Sequence, residues 1–232
     1  VYGYTKQNGK VDVLSHAWCA ARIDSTWWLF DPTWGAGYVD KNKFFKKLNN
    51  LNFKAAPAQF VATHMPFDYL WQFLDYPVTN QEFIDGKTQI NTTKPKFDFV
   101  NQIEEYDRMS DLDKARTVLI RIQNNGVKNS LIQEMVQFQK SEADALHNNE
   151  AMAKMQGISD DYNLAIAQFN DFIMYRNNKF KPLLPDEAIK EMIVTPKQKI
   201  LDCQNRIYKS GKYNDNNFEN VKSLKKSIID IL

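Results

Sequence analysis

Two short apolar runs on either side of a polar turn constrain this chain more than any other feature. Residues 11–22 carry His16-Ala17-Trp18-Cys19-Ala20-Ala21-Arg22, and residues 27–33 read Trp27-Trp28-Leu29-Phe30-Asp31-Pro32-Thr33. Ile23-Asp24-Ser25-Thr26 joins them, a common hairpin loop length. Side chains alternate faces along a strand, so His16 and Trp18 share one face and Cys19 takes the other. On the second strand Trp27, Leu29 and Asp31 share a face, with Trp28 and Phe30 on the opposite one. For Asp31 to meet His16 these faces must coincide, which requires paired residue numbers with an odd sum. With Asp31 opposite Trp18, Asp31 lies diagonal to His16, about 7–8 Å away between Cα atoms. A carboxylate–imidazole hydrogen bond closes that gap.

Such a pair is how a fold presents a general base and the carboxylate that orients it. An imidazole accepts the proton of a thiol, which is a weak nucleophile until deprotonated. The carboxylate selects the imidazole tautomer and steadies the imidazolium. Flanking indoles exclude water and strengthen those electrostatics. The same spacing also fits a histidine held for structural reasons, since a motif match is only a hypothesis.

His16-Ala17-Trp18, Trp27 and Asp31-Pro32-Thr33-Trp34-Gly35-Ala36-Gly37 together resemble the signature of the transglutaminase-like superfamily. The likeness is to its kyphoscoliosis-peptidase-like branch, in its bacterial form. Phe44-Phe45, His64-Met65-Pro66 and Trp71-Gln72-Phe73-Leu74-Asp75-Tyr76-Pro77 continue the pattern, so it runs from about residue 2 to residue 86. Tyr175-Arg176-Asn177-Asn178 and Pro182 resemble the accessory helical region of bacterial relatives.

The resemblance implies an α+β chain: an antiparallel sheet unit of a transglutaminase-like (papain-like) fold, followed by a helical bundle. It implies His16 as base and Asp31 as its orienter, with Trp18 and Trp34 lining the cleft. It implies a protein or peptide substrate, no cofactor and no metal. An exported location follows by family analogy only. The family's cysteine stands at a helix start a few tens of residues before the histidine. Only 15 residues precede His16 here, and none is Cys. The nucleophile is therefore outside this chain or was never there. The oxyanion-hole donor expected beside it cannot be placed.

Cys19 follows the histidine and points to the wrong face, so it reads as a small buried apolar residue. Cys203 is remote in sequence, and two cysteines make no disulfide framework. His64 reads as structural, bonding backbone near Pro66. With His16, His147 and Cys203 it shows no metal-ligand spacing. Asp24 and Asp40 are turn residues by context.

The 232 residues suffice for one large domain or two modest ones. The net charge of +2, with lysines and acids intermixed, gives no argument for a nucleic-acid partner. No apolar run approaches the ~18–20 residues of a membrane span. The chain opens on Val1-Tyr2-Gly3-Tyr4, already strand-like and without an initiator methionine. It reads as the start of a fragment or of an ordered part, so missing targeting signals carry little weight.

Organisation changes near Pro95. Before it lie all five tryptophans and short alternating runs; after it the apolar residues follow helical spacing. The division predicted is 1–94, the C-terminal part of the sheet domain, and 95–232, an accessory helical bundle. Phe99, Ile103, Tyr106, Leu112, Ala115, Leu119 and Ile122 predict helices over 99–123, with Ser110 as a cap and Asn124-Asn125-Gly126 as the end. Helices are expected over 129–156, closed by Gly157, and over 159–177, 195–209 and 217–231. Short links imply antiparallel neighbours packed against the sheet unit.

Three functional readings remain. The chain belongs to a thiol acyl-transfer or peptide-hydrolysing enzyme and is inactive by itself, lacking its nucleophile. Or it is a catalytically inactive module that binds protein or a cell-surface polymer. Or the His–Asp pair is only a scaffold contact.

Overall fold

The computed structural model describes residues 1–41, 43–209 and 222–228. The protein is α+β, with small antiparallel sheets followed by helices. It divides into two compact units, Val1–Asp144 and Ala145–Leu232. The last described strand ends at Pro66 and a short helix precedes Pro95, while the longer helices begin at Phe99 and the first compact unit runs on to Asp144.

The strands are β1 (Tyr2–Gln7), β2 (Lys10–Ala17), β3 (Cys19–Ile23) and β4 (Thr26–Phe30). After a short helix α1 (Pro32–Ala36) come β5 (Gly37–Asp40) and β6 (Lys43–Lys46). Helix α2 (Pro57–Phe60) precedes β7 (His64–Pro66), and a 3-10 turn (Tyr69–Gln72) follows it. Strand β1 lies between β2 and β7; β3 pairs with β4, and β5 with β6.

Register on β1 decides which side chains meet. Gly3 pairs with His16 on β2, and Thr5 pairs with His64 on β7. Gly3 and Thr5 are two residues apart, so both histidines project from one face of the sheet. Tyr4 and Met65 project from the other face and are fully buried. They join Val61, Phe67, Val78 and Phe83 in a core completed by Ile122, Ile132 and Val136. On the histidine face, Gly3 leaves room for an indole. A Cβ there would stand 2.6 Å from the Trp18 ring and collide with the Met65 carbonyl.

The β3–β4 hairpin has the odd-sum register expected, with Cys19 opposite Phe30 and Ile23 opposite Thr26. Its turn is tighter than the predicted loop. Asp24 and Ser25 alone make it, with φ of 50° and 66°, the signature of a type I′ hairpin turn. Trp27 and Leu29 reach a second core with Trp18, Phe60 and Phe73.

Helix α3 (Asn80–Asp85) starts with a capping box between Thr79 and Glu82. Helices α4 (Phe99–Arg108) and α5 (Asp111–Asn124) lie where the spacing placed them. Ser110 caps α5 by accepting from the Asp113 N–H. Phe99 and Ile103 of α4 pack on the Trp18 cluster, and Ile122 of α5 enters the Tyr4 cluster. Arg121 of α5 donates two hydrogen bonds of 2.7 Å to Asp68, whose carboxylate also caps the 3-10 turn at Leu70.

Helix α6 (Ser130–Asn177) is one continuous helix of 48 residues, and the division between the units falls inside it. The stop expected at Gly157 does not occur. A glycine inside a helix costs only about 1 kcal/mol, and it ends a helix only where the chain turns away. Here Ile158 is buried, and Gln156 donates across the glycine to Asp160. Helix α7 (Asp186–Lys209) begins nine residues before position 195 and carries Pro196 inside it. Ile158, Ala165, Ile200, Cys203, Ile207 and Ile228 form the core of the second unit. The expected helix over 217–231 is helical at 222–228, and the rest of that range lies outside the described residues. No described helix is long and apolar enough to cross a membrane.

Candidate active site

The predicted pair is joined, but by a different route. His16 does not belong to the hairpin that leads to Asp31. It sits near the end of β2, and Trp18 separates that strand from β3. The Trp18 N–H donates to the Val1 carbonyl, which keeps this corner with the first sheet. Asp31 lies one residue past β4, not within a strand running to 33. Pro32 has no N–H for a ladder and is suited to the first position of a helix. Asp31 is therefore the N-cap of α1, accepting from Thr33 N–H at 2.9 Å and Trp34 N–H at 3.1 Å through Oδ1.

That capping fixes the carboxylate plane and leaves Oδ2 for the histidines. His16 Nε2 lies 2.8 Å from Oδ2. His64 Nε2 lies 3.0 Å from the same oxygen. His64 therefore bonds the carboxylate, which corrects its reading as a residue bonding backbone near Pro66. Its Nδ1 is 2.8 Å from Thr63 Oγ1. Asp31 and His64 are buried, whereas the His16 side chain retains 18% exposure.

Trp18 and Trp34, the two predicted cleft residues, both flank the pair. Each ring centre is 6.1 Å from that of His16. They also contact His64, at 5.3 and 4.6 Å, and Phe60 stacks on its far side at 3.9 Å. The indole N–H of Trp18 is buried with no hydrogen-bond partner among the described residues.

Protonation follows from this geometry. Burial by itself pushes the Asp31 carboxyl up. The hydrogen bonds from His64, His16 and the Trp34 N–H outweigh it and bring the carboxyl down to about 2. Burial lowers His64 below the usual histidine range, and its bond to Asp31 only partly offsets this. An ionised carboxylate can only accept, so both Nε2 atoms carry hydrogen. In the neutral ring of His16 this leaves Nδ1 as the basic nitrogen. In His64 it leaves Nδ1 to accept from the Thr63 hydroxyl.

The three ligand-type atoms of His16, Asp31 and His64 lie within 4.8 Å of one another. A cation there would have to displace two N–H donors from an oxygen they already satisfy. The cluster reads as a hydrogen-bonded acid–base group.

Among the described residues neither cysteine is hydrogen-bonded to this group. Cys203 is buried in the second unit's core. Cys19 is exposed, not buried as its small size suggested, and both thiols are free. Cys19 lines a cleft of about 360 Å³ with Phe30, Asp31, Pro32, Leu48 and Phe53. Among the described residues no hydrogen bond joins it to His16. His147 lies on α6 past the division at Asp144.

The chain is 34% identical over 84 residues to the kyphoscoliosis peptidases of mouse and of human. The matched stretch is 35% of this chain and 13% of each relative, so the chain spans a small part of the relatives it matches. No family model matches the chain. No solved structure matches it either. The likeness is a distant one to a transglutaminase-like peptidase.

Proposed function

We propose that residues 1–94 are the later part of a transglutaminase-like domain. On this reading the whole protein carries a Cys-His-Asp site for thiol acyl transfer or peptide hydrolysis, and its cysteine lies before Val1. The carrying observation is the His16–Asp31 bond through Nε2, which presents Nδ1 as the base. In the reaction Nδ1 takes the thiol proton, and the thiolate sulfur bonds the acyl carbon of a protein or peptide substrate. The departing amine takes that proton back from the imidazolium. Water or a second amine then releases the acyl group from the thioester. Asp31 keeps the imidazole in the required tautomer throughout.

A second reading is an inactive module that binds protein or a cell-surface polymer. It is favoured by the exposed apolar side chains Phe44, Leu48, Leu51 and Phe53. The discriminating experiment alkylates the full-length gene product with iodoacetamide across pH and maps the modified residues. The catalytic reading expects one cysteine preceding His16 to react with a depressed pH midpoint, lost in His16→Ala. A product with no such cysteine, or one whose reactivity ignores His16, would leave the binding module standing. In the 232-residue chain, Cys19 should alkylate at the same rate with or without His16.

A further inference from the structure

We propose that His64 is a positioning residue of this site: by donating to the same Asp31 oxygen as His16, it holds that carboxylate aimed at His16 Nε2, and so keeps the basic nitrogen of His16 turned away from Asp31. As a statement about catalysis this rests on the reading above; as a statement about tautomers and ionisation it stands on the geometry.

Asp31 Oδ2 has two in-plane lone-pair directions, and each is taken by an imidazole Nε2, at 2.8 and 3.0 Å. Oδ1 is taken by the two N–H groups of α1. The carboxylate cannot rotate without breaking bonds to three elements. His64 is itself fixed. The ionised carboxylate only accepts, so His64 carries its hydrogen on Nε2, and the Thr63 hydroxyl, which can donate or accept, donates to Nδ1. Phe60, Trp18 and Trp34 close around it. Burial also keeps it uncharged, so it contributes a hydrogen bond without competing with His16 as a cation.

The titratable side chains bonded to Asp31, among the described residues, are His16 from β2 and His64 from β7, and the Cys19 thiol of β3 lines the same cleft as Asp31. The other partners of Asp31 are backbone N–H groups. If His64 is removed, one direction of Oδ2 opens and the carboxylate becomes easier to protonate. The carboxylate stays ionised wherever His16 is neutral, but it is then free to turn from Nε2, and a His16 ring without that acceptor can exchange to the Nδ1–H tautomer and lose its outward basic nitrogen.

The test is nuclear magnetic resonance on the ¹³C,¹⁵N-labelled 232-residue chain. At a pH where the rings are neutral, both histidines of the parent protein should be Nε2–H tautomers, and the Asp31 carboxyl should titrate near 2. In His64→Phe the Asp31 midpoint should rise by about one pH unit, a tenfold change in its proton affinity. The His16 ring should then admit the Nδ1–H tautomer. His64→Gln, which keeps a donor, should restore much of both. A role confined to filling space would leave these readouts alike in Phe and Gln. An Asp31 midpoint unmoved in a folded His64→Phe protein would overturn the proposal. So would finding His64 as the Nδ1–H tautomer in the parent, a measurement that needs no variant to fold. Neither readout depends on an upstream cysteine, so failure of the enzymatic reading would be seen separately, by alkylation.

Discussion

Replacing Asp31 with asparagine separates the charge of this site from its shape. The amide keeps one oxygen for the N–H groups of Thr33 and Trp34, so α1 remains capped. At the Oδ2 position it puts an NH₂ group, a donor facing two donors. His16 and His64 must then both switch to Nδ1–H tautomers. Thr63 can follow by accepting instead of donating, but His16 loses its outward lone pair. The energetic cost follows from the carboxyl titrating at 3.8 in the unfolded chain and about 2 in the folded one. That depression contributes about 2 kcal/mol at neutral pH. The contribution is present above 3.8 and lost as pH falls through 2, so ~1 kcal/mol of it survives at pH 3. All five tryptophans precede residue 72 and lie in the first compact unit, so their fluorescence follows that unit's unfolding in urea. Asp31→Asn should lower stability by about 2 kcal/mol at pH 5, and by roughly half as much at pH 3. A stability gap that stays constant from pH 5 to pH 3 would show that the charge on Asp31 is not what the four donors stabilise.

Three further changes probe the frame around the site. Arg121→Met strands the buried Asp68 carboxylate and should destabilise the first unit by about 3–5 kcal/mol, read from the same fluorescence transition. Ser25→Gly relieves a non-glycine residue at φ 66° in the hairpin turn and should add up to about 1 kcal/mol in that assay. Gly157→Ala places a methyl 3.7 Å from Arg206, in ordinary contact, and should stabilise the second unit by about 0.5–1 kcal/mol in a circular-dichroism melt without moving the tryptophan transition.

What could be read from the sequence was what local rules control. Two-residue alternation around Asp24-Ser25 gave the register of the hairpin, and helical spacing with the Ser110 cap gave α5. Two local signals were present and misread. Asp31-Pro32 is a capping residue followed by the residue suited to a first helical turn, yet strand alternation was carried through it to Thr33. Pro185-Asp186-Glu187 likewise opens α7, nine residues before the start expected at 195, and Pro196 is held inside the helix. Gly157 failed for another reason: its effect depends on packing at Ile158, which no neighbouring residue announces.

His64 belongs to a third category. Its role depends on β7 pairing with β1 across about sixty residues of chain, and nothing in His64-Met65-Pro66 says which strand it will join. Once that pairing is known, parity does the rest. Gly3, Thr5, His16 and His64 fall on one face, and Tyr4 and Met65 on the other. The His16–Asp31 pair was legible because its members lie 15 residues apart, although the corner at Trp18 that joins them was not. Which nitrogen of His16 stays basic is a finer question. Its answer requires Asp31 to be ionised and so an acceptor only, with its oxygens met by two N–H groups of the helix it caps, one imidazole from β2 and one from the distant β7. The functional reading rests on the His16–Asp31 bond in the most legible stretch of the chain, whereas the aim of that carboxylate depends on a nonlocal contact.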